Sequence, residues 1–225
     1  GPDGLSKVAP EKMRAGGLDA VVMAAAVGPK PRTAAGYVEA RAIAESELSA
    51  IVDLAADPAN QVTLATTTDM LLEAHRAGQR AVILGLQNAL ILGRKVNAID
   101  DFFAAGVRVF ALTHMGHNAF ADSSRPLFNA ALGTREATAE HGGLSDLGRG
   151  AIRRINALGG IVDISQLSKQ AALQAMTVST TPVIASHSNA RALTNVSRNL
   201  SDEELDAIAA TGGVVHIATF AGYMF

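Results

Sequence analysis

The sequence predicts an α/β fold built around a parallel sheet. Six short apolar runs alternate with helix-like segments along the 225 residues, and this alternation is typical of right-handed strand–helix–strand connections. A polar residue follows four of the successive runs at the same end, at Gln87, His114, Gln166 and His187. Because parallel strands present their carboxyl ends at one mouth of a sheet or barrel, we expect these side chains to meet at a ligand site.

The predicted strands are short aliphatic runs, each of which ends before a glycine or a polar residue. They occupy residues 19–27, 80–86, 107–112, 161–164, 183–185 and 214–218. Aromatic residues make up only 4% of the chain, so the core must consist mainly of Ala, Val, Ile and Leu. A closed eight-stranded (β/α) barrel needs about 250 residues. The strand pattern alone therefore leaves two architectures open, an open sheet and a barrel that lacks its first and last strands.

Capping residues mark where the predicted helices begin and end. Thr67 and Ser145 precede amphipathic segments as N-cap candidates, and Ser201 with Glu204 forms the pattern of a capping box. Gly159 is placed to end a helix, since glycine readily adopts the left-handed backbone of a C-terminal cap. The helical segments are predicted at about residues 36–56, 67–77, 96–105, 145–158, 168–177 and 201–211, with a long loop over 115–143.

The composition excludes several classes of protein. The 19 basic and 21 acidic residues show no block of one sign, which argues against a nucleic-acid partner. Because cysteine is absent, the chain has no disulfide, no thiolate zinc site and no cysteine nucleophile. Its apolar runs are interrupted before the roughly 18 residues that a membrane span requires, so no span is expected in this chain. The N-terminal segment lacks the pattern of a signal peptide.

The compartment and the assembly state stay open at this stage. The absence of cysteine does not decide between a cytoplasmic and an exported location. A barrel without two of its strands has two unpaired edges, which favours pairing with another chain. A homo-oligomer is therefore one of the alternatives that the sequence leaves.

Longer motifs make the chain similar to the membrane (renal) dipeptidase family, zinc peptidases of the amidohydrolase-like barrel class. The resembling segments lie between about residues 80 and 213, and they are GLQNA, ALTHMGHNAFADSS, HGGLSDLGRGAIRRINALGGIVDISQLS and TPVIASHSNARALTNVSRNLSDEELDAIAATGG. The resemblance implies a (β/α)8 TIM-type barrel, in which about six β/α units are visible and the first and last strands are missing. It also implies that residues 1–225 form a single, incomplete barrel domain.

The resemblance assigns roles to five positions. His114 and Arg198 stand at the family's substrate-binding positions, where the arginine binds a peptide carboxylate. Gln87 stands where the family has a glutamate that bridges two zinc ions. Gln166 and His187 stand at its two histidine ligands, so only His187 keeps a metal-binding side chain, and the two glutamines are expected to bind metal weakly or not at all. The family's further His-x-Asp ligand pair occurs nowhere in this sequence.

Two functions follow as hypotheses. The first is a metallohydrolase that cleaves dipeptides or related small amides with metal-activated water. It would hold one zinc ion or none rather than two, because two divalent ions about 4 Å apart repel by roughly 15–20 kcal/mol at an effective dielectric constant of about 20, which a neutral amide cannot offset. The second is a non-catalytic dipeptidase homologue that binds a small peptide or a partner in the same pocket.

Three nearby residues are expected to have structural roles instead. Asp163 is expected to brace a neighbouring group, since it has no partner that would make it a catalytic candidate. His216 is expected to be a structural residue inside a strand. Arg191 is expected to be a solvated helix residue.

Overall fold

The computed structural model describes residues 8–130 and 132–225 of the chain. Within these residues, seven strands form a parallel sheet that curls into part of a barrel, and a separate pair forms a small antiparallel hairpin. The α/β class and the partial TIM-type barrel that the sequence predicts are therefore confirmed. The strands are β1 Ala20–Ala26, β2 Val62–Leu64, β3 Arg80–Gln87, β4 Val107–Ala111, β5 Phe128–Asn129, β6 Thr134–Arg135, β7 Ile161–Asp163, β8 Ile184–Ser188 and β9 Val214–Ile217.

Helices connect most of the strands. They are α1 Pro10–Ala15, α2 Ala34–Ala56, α3 Thr68–Arg76, α4 Ala98–Ala104, α5 Asp146–Leu158, α6 Lys169–Val178, α7 Asp202–Ala210 and α8 Ala221–Met224, with single 3-10 turns at Pro58–Asn60 and Ala89–Leu92. Apolar side chains from the helices and the strands form one main core, in which Ile152 and Ile155 of α5 are fully buried. In the described part of the chain, none of the helices has the length and hydropathy that a membrane crossing requires.

The order of neighbours in the sheet is β1–β3–β4–β7–β8–β9. The six-strand prediction missed β2, whose Thr63 pairs with Ala81 on the edge of β3 opposite β1. β4 pairs with the second half of that same edge, as at Leu86 and Phe110. β2 escaped prediction because it is short, carries a central threonine and leads into the threonine-rich segment 66–68, so it does not stand out as an apolar run.

The helix boundaries follow the predicted caps. The hydroxyl of Thr67 accepts a hydrogen bond from the backbone of Met70, and Ser145 begins α5 in the same way. Ser201 and Glu204 form the complete capping box at the start of α7. Gly159 ends α5 with φ 79°, a left-handed conformation that glycine adopts without strain. These local patterns fix the residues at which the helices begin and end.

The long loop between β4 and α5 is organised around Asp122, whose side chain is fully buried. Its carboxylate accepts hydrogen bonds from the backbone N–H groups of Glu140, His141 and Gly143, at 2.8 to 3.2 Å. The backbone N–H of Ser123 then donates to Nδ1 of His117 at 3.0 Å, while Nε2 of the same ring contacts the carbonyl oxygen of Ala137 at 2.8 Å. Buried side chains thus hold the loop against the mouth of the sheet.

Candidate active site

Three of the four predicted residues meet at the carboxyl ends of the strands. Gln87 ends β3, Gln166 lies in the turn after β7, and His187 lies near the end of β8. The amide nitrogen of Gln87 donates to Oε1 of Gln166 and lies 3.2 Å from Nε2 of His187. Oε1 of Gln166 is also 3.2 Å from that imidazole nitrogen. We call these three residues the glutamine–histidine cluster.

The backbone brings Gln166 to the cluster in an unusual conformation. Its φ is 68°, in the left-handed region that residues other than glycine seldom adopt. The carbonyl oxygen of Gln166 accepts a hydrogen bond from the backbone of Ser124 at 2.9 Å, and Ser123 forms an isolated bridge with Leu167. The long loop therefore holds the turn in place. A positive φ at a residue other than glycine is strained, and strained backbone is found most often at functional sites.

A second layer of polar groups lies behind His187. Oγ of Ser186 is 2.7 Å from Nδ1 of the imidazole and is also hydrogen-bonded to Oδ2 of Asp163. Asp163 is 3% exposed and accepts further bonds from the backbone of Ser165 and Ser186. Burial and the positive charge of Arg198 lower the pKa of His187, so the ring is neutral at pH 7.

Arg198 lies beside the cluster and is 4% exposed. One guanidinium nitrogen donates to the backbone carbonyl of His187 at 2.6 Å, and the other donates to Oγ of Ser188 at 3.2 Å. Its Nε atom has no hydrogen-bond partner within the described residues. The guanidinium carbon is 5.5 Å from the centre of the Tyr223 ring. Burial lowers the pKa of this arginine.

Arg191 holds the loop that carries Arg198, and the expectation of a solvated helix residue is wrong. It lies in a turn, where its side chain is only partly exposed. Its guanidinium donates to the backbone carbonyls of Ser197 and Asn199, on both sides of Arg198, at 2.7 to 3.3 Å. The position of the buried arginine thus depends on a second arginine that is bonded to the backbone.

His114, the fourth predicted residue, stands apart from the glutamine–histidine cluster. It is half-buried, and Nδ1 of its ring has no hydrogen-bond partner in the part of the chain that the structure describes. Burial and the charges of Arg125 and Arg198 lower its pKa. We call His114 and Arg198 the clamp, because each has a side-chain nitrogen without a hydrogen-bond partner in the described residues.

A cavity of about 640 Å³ opens on the inner face of the curled sheet. Gln87, Asp163, Ser186 and His187 line its polar end, and aliphatic side chains of the strands line the rest. His216 of β9 is exposed and also lines this cavity, so it faces the open interior instead of the core. The site therefore combines a polar floor with apolar walls, as is usual for pockets that bind small molecules.

The whole chain matches one family. Residues 3–225 match the model of the membrane dipeptidases, peptidase family M19. The chain belongs to the membrane dipeptidase family. The resemblance drawn from the sequence motifs is thus confirmed.

Related proteins extend well beyond the matched region. The dipeptidase tcpJ of Claviceps purpurea (strain 20.1) is 34% identical over 171 residues, which are 76% of this chain and 37% of that protein. The crystal structure of the probable dipeptidase PvdM from Pseudomonas aeruginosa superposes with a TM-score of 0.90 at 35% identity, over 98% of this chain and 55% of that one. The chain therefore spans roughly half, or less, of the length of these relatives.

A more distant structure shares the fold alone. It is a metallo peptidase from Rhodobacter sphaeroides liganded with a phosphinate mimic of the dipeptide L-Ala-D-Ala. It matches with a TM-score of 0.81 at 21% identity, over 94% of this chain and 64% of that chain.

The residues of the cluster do not fit the two-metal centre of a metallopeptidase. One imidazole nitrogen and two neutral amides face one another, and the amide nitrogen of Gln87 lies 3.2 Å from Nε2 of His187. The described residues contain no group of three or more His, Asp or Glu side chains that could hold a metal ion. Without an anionic bridge, the repulsion between two divalent ions at this point is not offset.

Sequence reasoning missed several members of the site. Asp163 and Ser186 were not predicted to act on His187, because their contact depends on how β7 and β8 pair. Arg125 and Tyr223 are also bonded to each other near the clamp, at 3.0 Å. Their link joins a loop to the last helix, and no local pattern in the sequence signals such a contact.

Proposed function

We propose that this chain carries the substrate-binding part of a dipeptidase-type hydrolase that cleaves dipeptides or related small amides. The chain and its site would form one incomplete barrel domain over residues 1–225. Membership of the dipeptidase family supports the type of reaction. The state of Arg198 supports the type of substrate.

Arg198 is the observation that carries the proposal. A guanidinium that is 4% exposed has lost most of its water, and it forms no salt bridge within residues 8–130 and 132–225. A buried charge without a salt-bridge partner is costly, because the low dielectric of the interior penalises it, and the carboxylate of Asp163 acts on this guanidinium only through space. Since the guanidinium still has unused N–H groups, a ligand carboxylate can bind it in a forked geometry.

His114 supplies the second contact in this proposal. The ring is neutral at pH 7, because burial and the neighbouring arginines lower its pKa. A neutral imidazole both donates and accepts a hydrogen bond, so it suits the amide group of a small peptide. His114 would bind near the amide while Arg198 binds the carboxylate.

The metal content of the proposed enzyme is one divalent ion at most, with zinc as the ion that the family implies. His187 is the residue of the cluster that would bind it, and Gln87 and Gln166 would contribute weakly or not at all. The donor set of the cluster supports this limit, because it contains no carboxylate.

Titration of the purified chain with alanyl-alanine and with its C-terminal amide tests the proposal. We expect the amide to bind about 10 to 100 times more weakly, since a hydrogen bond to a charged group contributes about 1.5–3 kcal/mol. Arg198→Ala should remove the difference between the two ligands, whereas Arg153→Ala, which changes an exposed arginine of α5, should preserve it. Equal affinity for both ligands in the unmodified chain would contradict the proposal.

Release of free alanine, measured with and without added zinc, separates the two hypotheses. Release that depends on Arg198 supports the hydrolase. Carboxylate-dependent binding without release would select the non-catalytic homologue instead.

A further inference from the structure

We propose that Asp163 and Ser186 are positioning residues that fix His187 in the tautomer with the proton on Nδ1 and the lone pair of Nε2 toward the site. The tautomer itself does not depend on the proposed function. Its consequence for a bound ligand or ion does rest on that function.

The four groups form a continuous chain of hydrogen bonds. Asp163 of β7 bonds to the hydroxyl of Ser186, and that hydroxyl lies 2.7 Å from Nδ1 of His187 on the same strand, β8. At the other end, Nε2 of His187 lies 3.2 Å from the amide nitrogen of Gln87. Both ring nitrogens of His187 therefore have neighbouring polar groups, and these groups together determine which nitrogen carries the proton.

The carboxylate sets the direction of every bond in this chain. Oδ1 of Asp163 accepts from the backbone N–H groups of Ser165 and Ser186, at 2.9 and 3.1 Å. A carboxylate only accepts, so the single hydroxyl proton of Ser186 must go to Oδ2. The oxygen of Ser186 then accepts from Nδ1–H of His187, and Nε2 is left with its lone pair.

The glutamine amides agree with this direction. One N–H of Gln87 donates to Oε1 of Gln166, and its other N–H can donate to the lone pair on Nε2 of His187. In the opposite tautomer, Nε2 would donate to Oε1 of Gln166, which lies 3.2 Å away, so the bonds that decide between the two forms are those of Asp163 and Ser186. Nδ1 would then have to accept the proton of Ser186, which would leave two oxygens, of Ser186 and Asp163, in contact without a proton between them.

The backbone keeps this chain in register. The N–H of His187 donates to Oγ of Ser165 at 3.1 Å, so β8 is tied to the turn that follows β7. Asp163 pairs with Ile184 across the two strands, which places Ser186 beside its carboxylate. Carboxylates that orient a histidine through its outer nitrogen are a common way to prepare the inner nitrogen for a ligand or an ion.

The tautomer of His187 determines which group a ligand must displace when it binds to Nε2. A ligand N–H can bind to Nε2 of His187 only by replacing the N–H of Gln87. The pair Asp163 and Ser186 keeps the lone pair oriented while that exchange takes place. The opposite tautomer would present a proton, which cannot accept a hydrogen bond from a ligand N–H.

Nitrogen NMR of the full chain labelled with ¹⁵N-histidine tests the inference in the absence of any ligand. The signal of His187, one of six histidines, is assigned from the spectrum of His187→Gln. We expect a protonated Nδ1 and an unprotonated Nε2. Ser186→Ala should shift the ring toward the Nε2–H form, and Ser186→Thr, which keeps the hydroxyl, should restore the original tautomer.

Ser188→Ala is the matched control, because Ser188 lies on the same strand but its hydroxyl bonds to Arg198 and not to the imidazole. It should leave the His187 tautomer unchanged. A protonated Nε2 in the unmodified chain overturns the inference, and this result does not require Ser186→Ala to fold. An unchanged tautomer in a folded Ser186→Ala chain overturns it as well. A chain that has the expected tautomer but binds no dipeptide would contradict the proposed function alone.

Discussion

The two halves of the site differ in how their polar groups are satisfied. In the glutamine–histidine cluster, the amides, the imidazole, Ser186 and Asp163 bond to one another. In the clamp, Nδ1 of His114 and Nε of Arg198 have no partner within the described residues. Buried polar groups are normally hydrogen-bonded, so an unpaired one requires an explanation. In the proposed function, the unpaired atoms of the clamp bind an external group, whereas the groups of the cluster bond to one another without one.

The comparison also separates family inheritance from divergence. The resemblance implies that the clamp keeps the residue types used for substrate binding, and that amides stand in the cluster where the family has a carboxylate and an imidazole. Amides can both donate and accept, so Gln87 and Gln166 can hold this part of the site together by bonding to each other. The site can therefore retain its shape where a two-metal donor set is missing.

Disrupting the hydrogen bonds that support the glutamine–histidine cluster should have the largest effect on stability. Asp163→Ala leaves the hydroxyl of Ser186 and two backbone N–H groups without their acceptor, and each such loss costs about 1–3 kcal/mol. We expect the free energy of unfolding to fall by about 3 kcal/mol in urea titrations. Asp53→Ala, at an exposed position of α2, is the control and should change it by less than about 0.5 kcal/mol. An effect of Asp163→Ala as small as that of Asp53→Ala would show that the buried network does not stabilise the fold.

Converting the glutamine–histidine cluster into a metal site should have the next largest effect on stability. The double substitution Gln87→Glu and Gln166→His adds a carboxylate and a second imidazole next to His187. Zinc at 100 times its dissociation constant should then stabilise the chain by about 2.7 kcal/mol. Thermal unfolding and metal analysis should show this gain and about one bound ion, and Gln170→Glu on the exposed face of α6 should show neither. An unmodified chain that already binds two zinc ions tightly would remove the contrast between the halves.

Substituting Arg198 of the clamp should change stability less, although it should abolish ligand binding. Arg198→Met removes a buried charge that has no salt-bridge partner, and the relief of its desolvation offsets the loss of its bonds to Ser188 and to the backbone of His187. We expect a change of no more than about 1 kcal/mol in urea unfolding, together with loss of carboxylate binding. A cost as large as that of Asp163→Ala would mean that Arg198 is a structural residue.

The same contrast explains how far the sequence could predict the molecule. Helix caps such as Ser145 and strand ends such as Gln87 depend on neighbouring residues, so local patterns located them. The strand β2 was missed because its sequence Val-Thr-Leu is short and interrupted by a threonine, so it does not stand out as an apolar run. The bond between Ser186 and Asp163 depends on strand register, and the positive φ of Gln166 depends on the long loop that holds it. Strand topology thus predicted that residues meet, and only tertiary packing decides which atoms pair.

The smallest expected effect is a pH dependence of stability, which compares the two halves through their histidines. The pKa values of His187 and His114 are both lowered in the folded chain, chiefly by burial. The unfolded chain therefore binds more protons below the ordinary histidine pKa of about 6.5. Stability should be constant above that pH and should fall as the pH decreases from about 6.5 toward the lowered pKa values. Urea unfolding at a series of pH values between about 7.5 and 5 measures this loss. His187→Gln and His114→Gln should each reduce the slope, and a chain whose stability rises on acidification across this range would contradict the neutral, buried state of both rings.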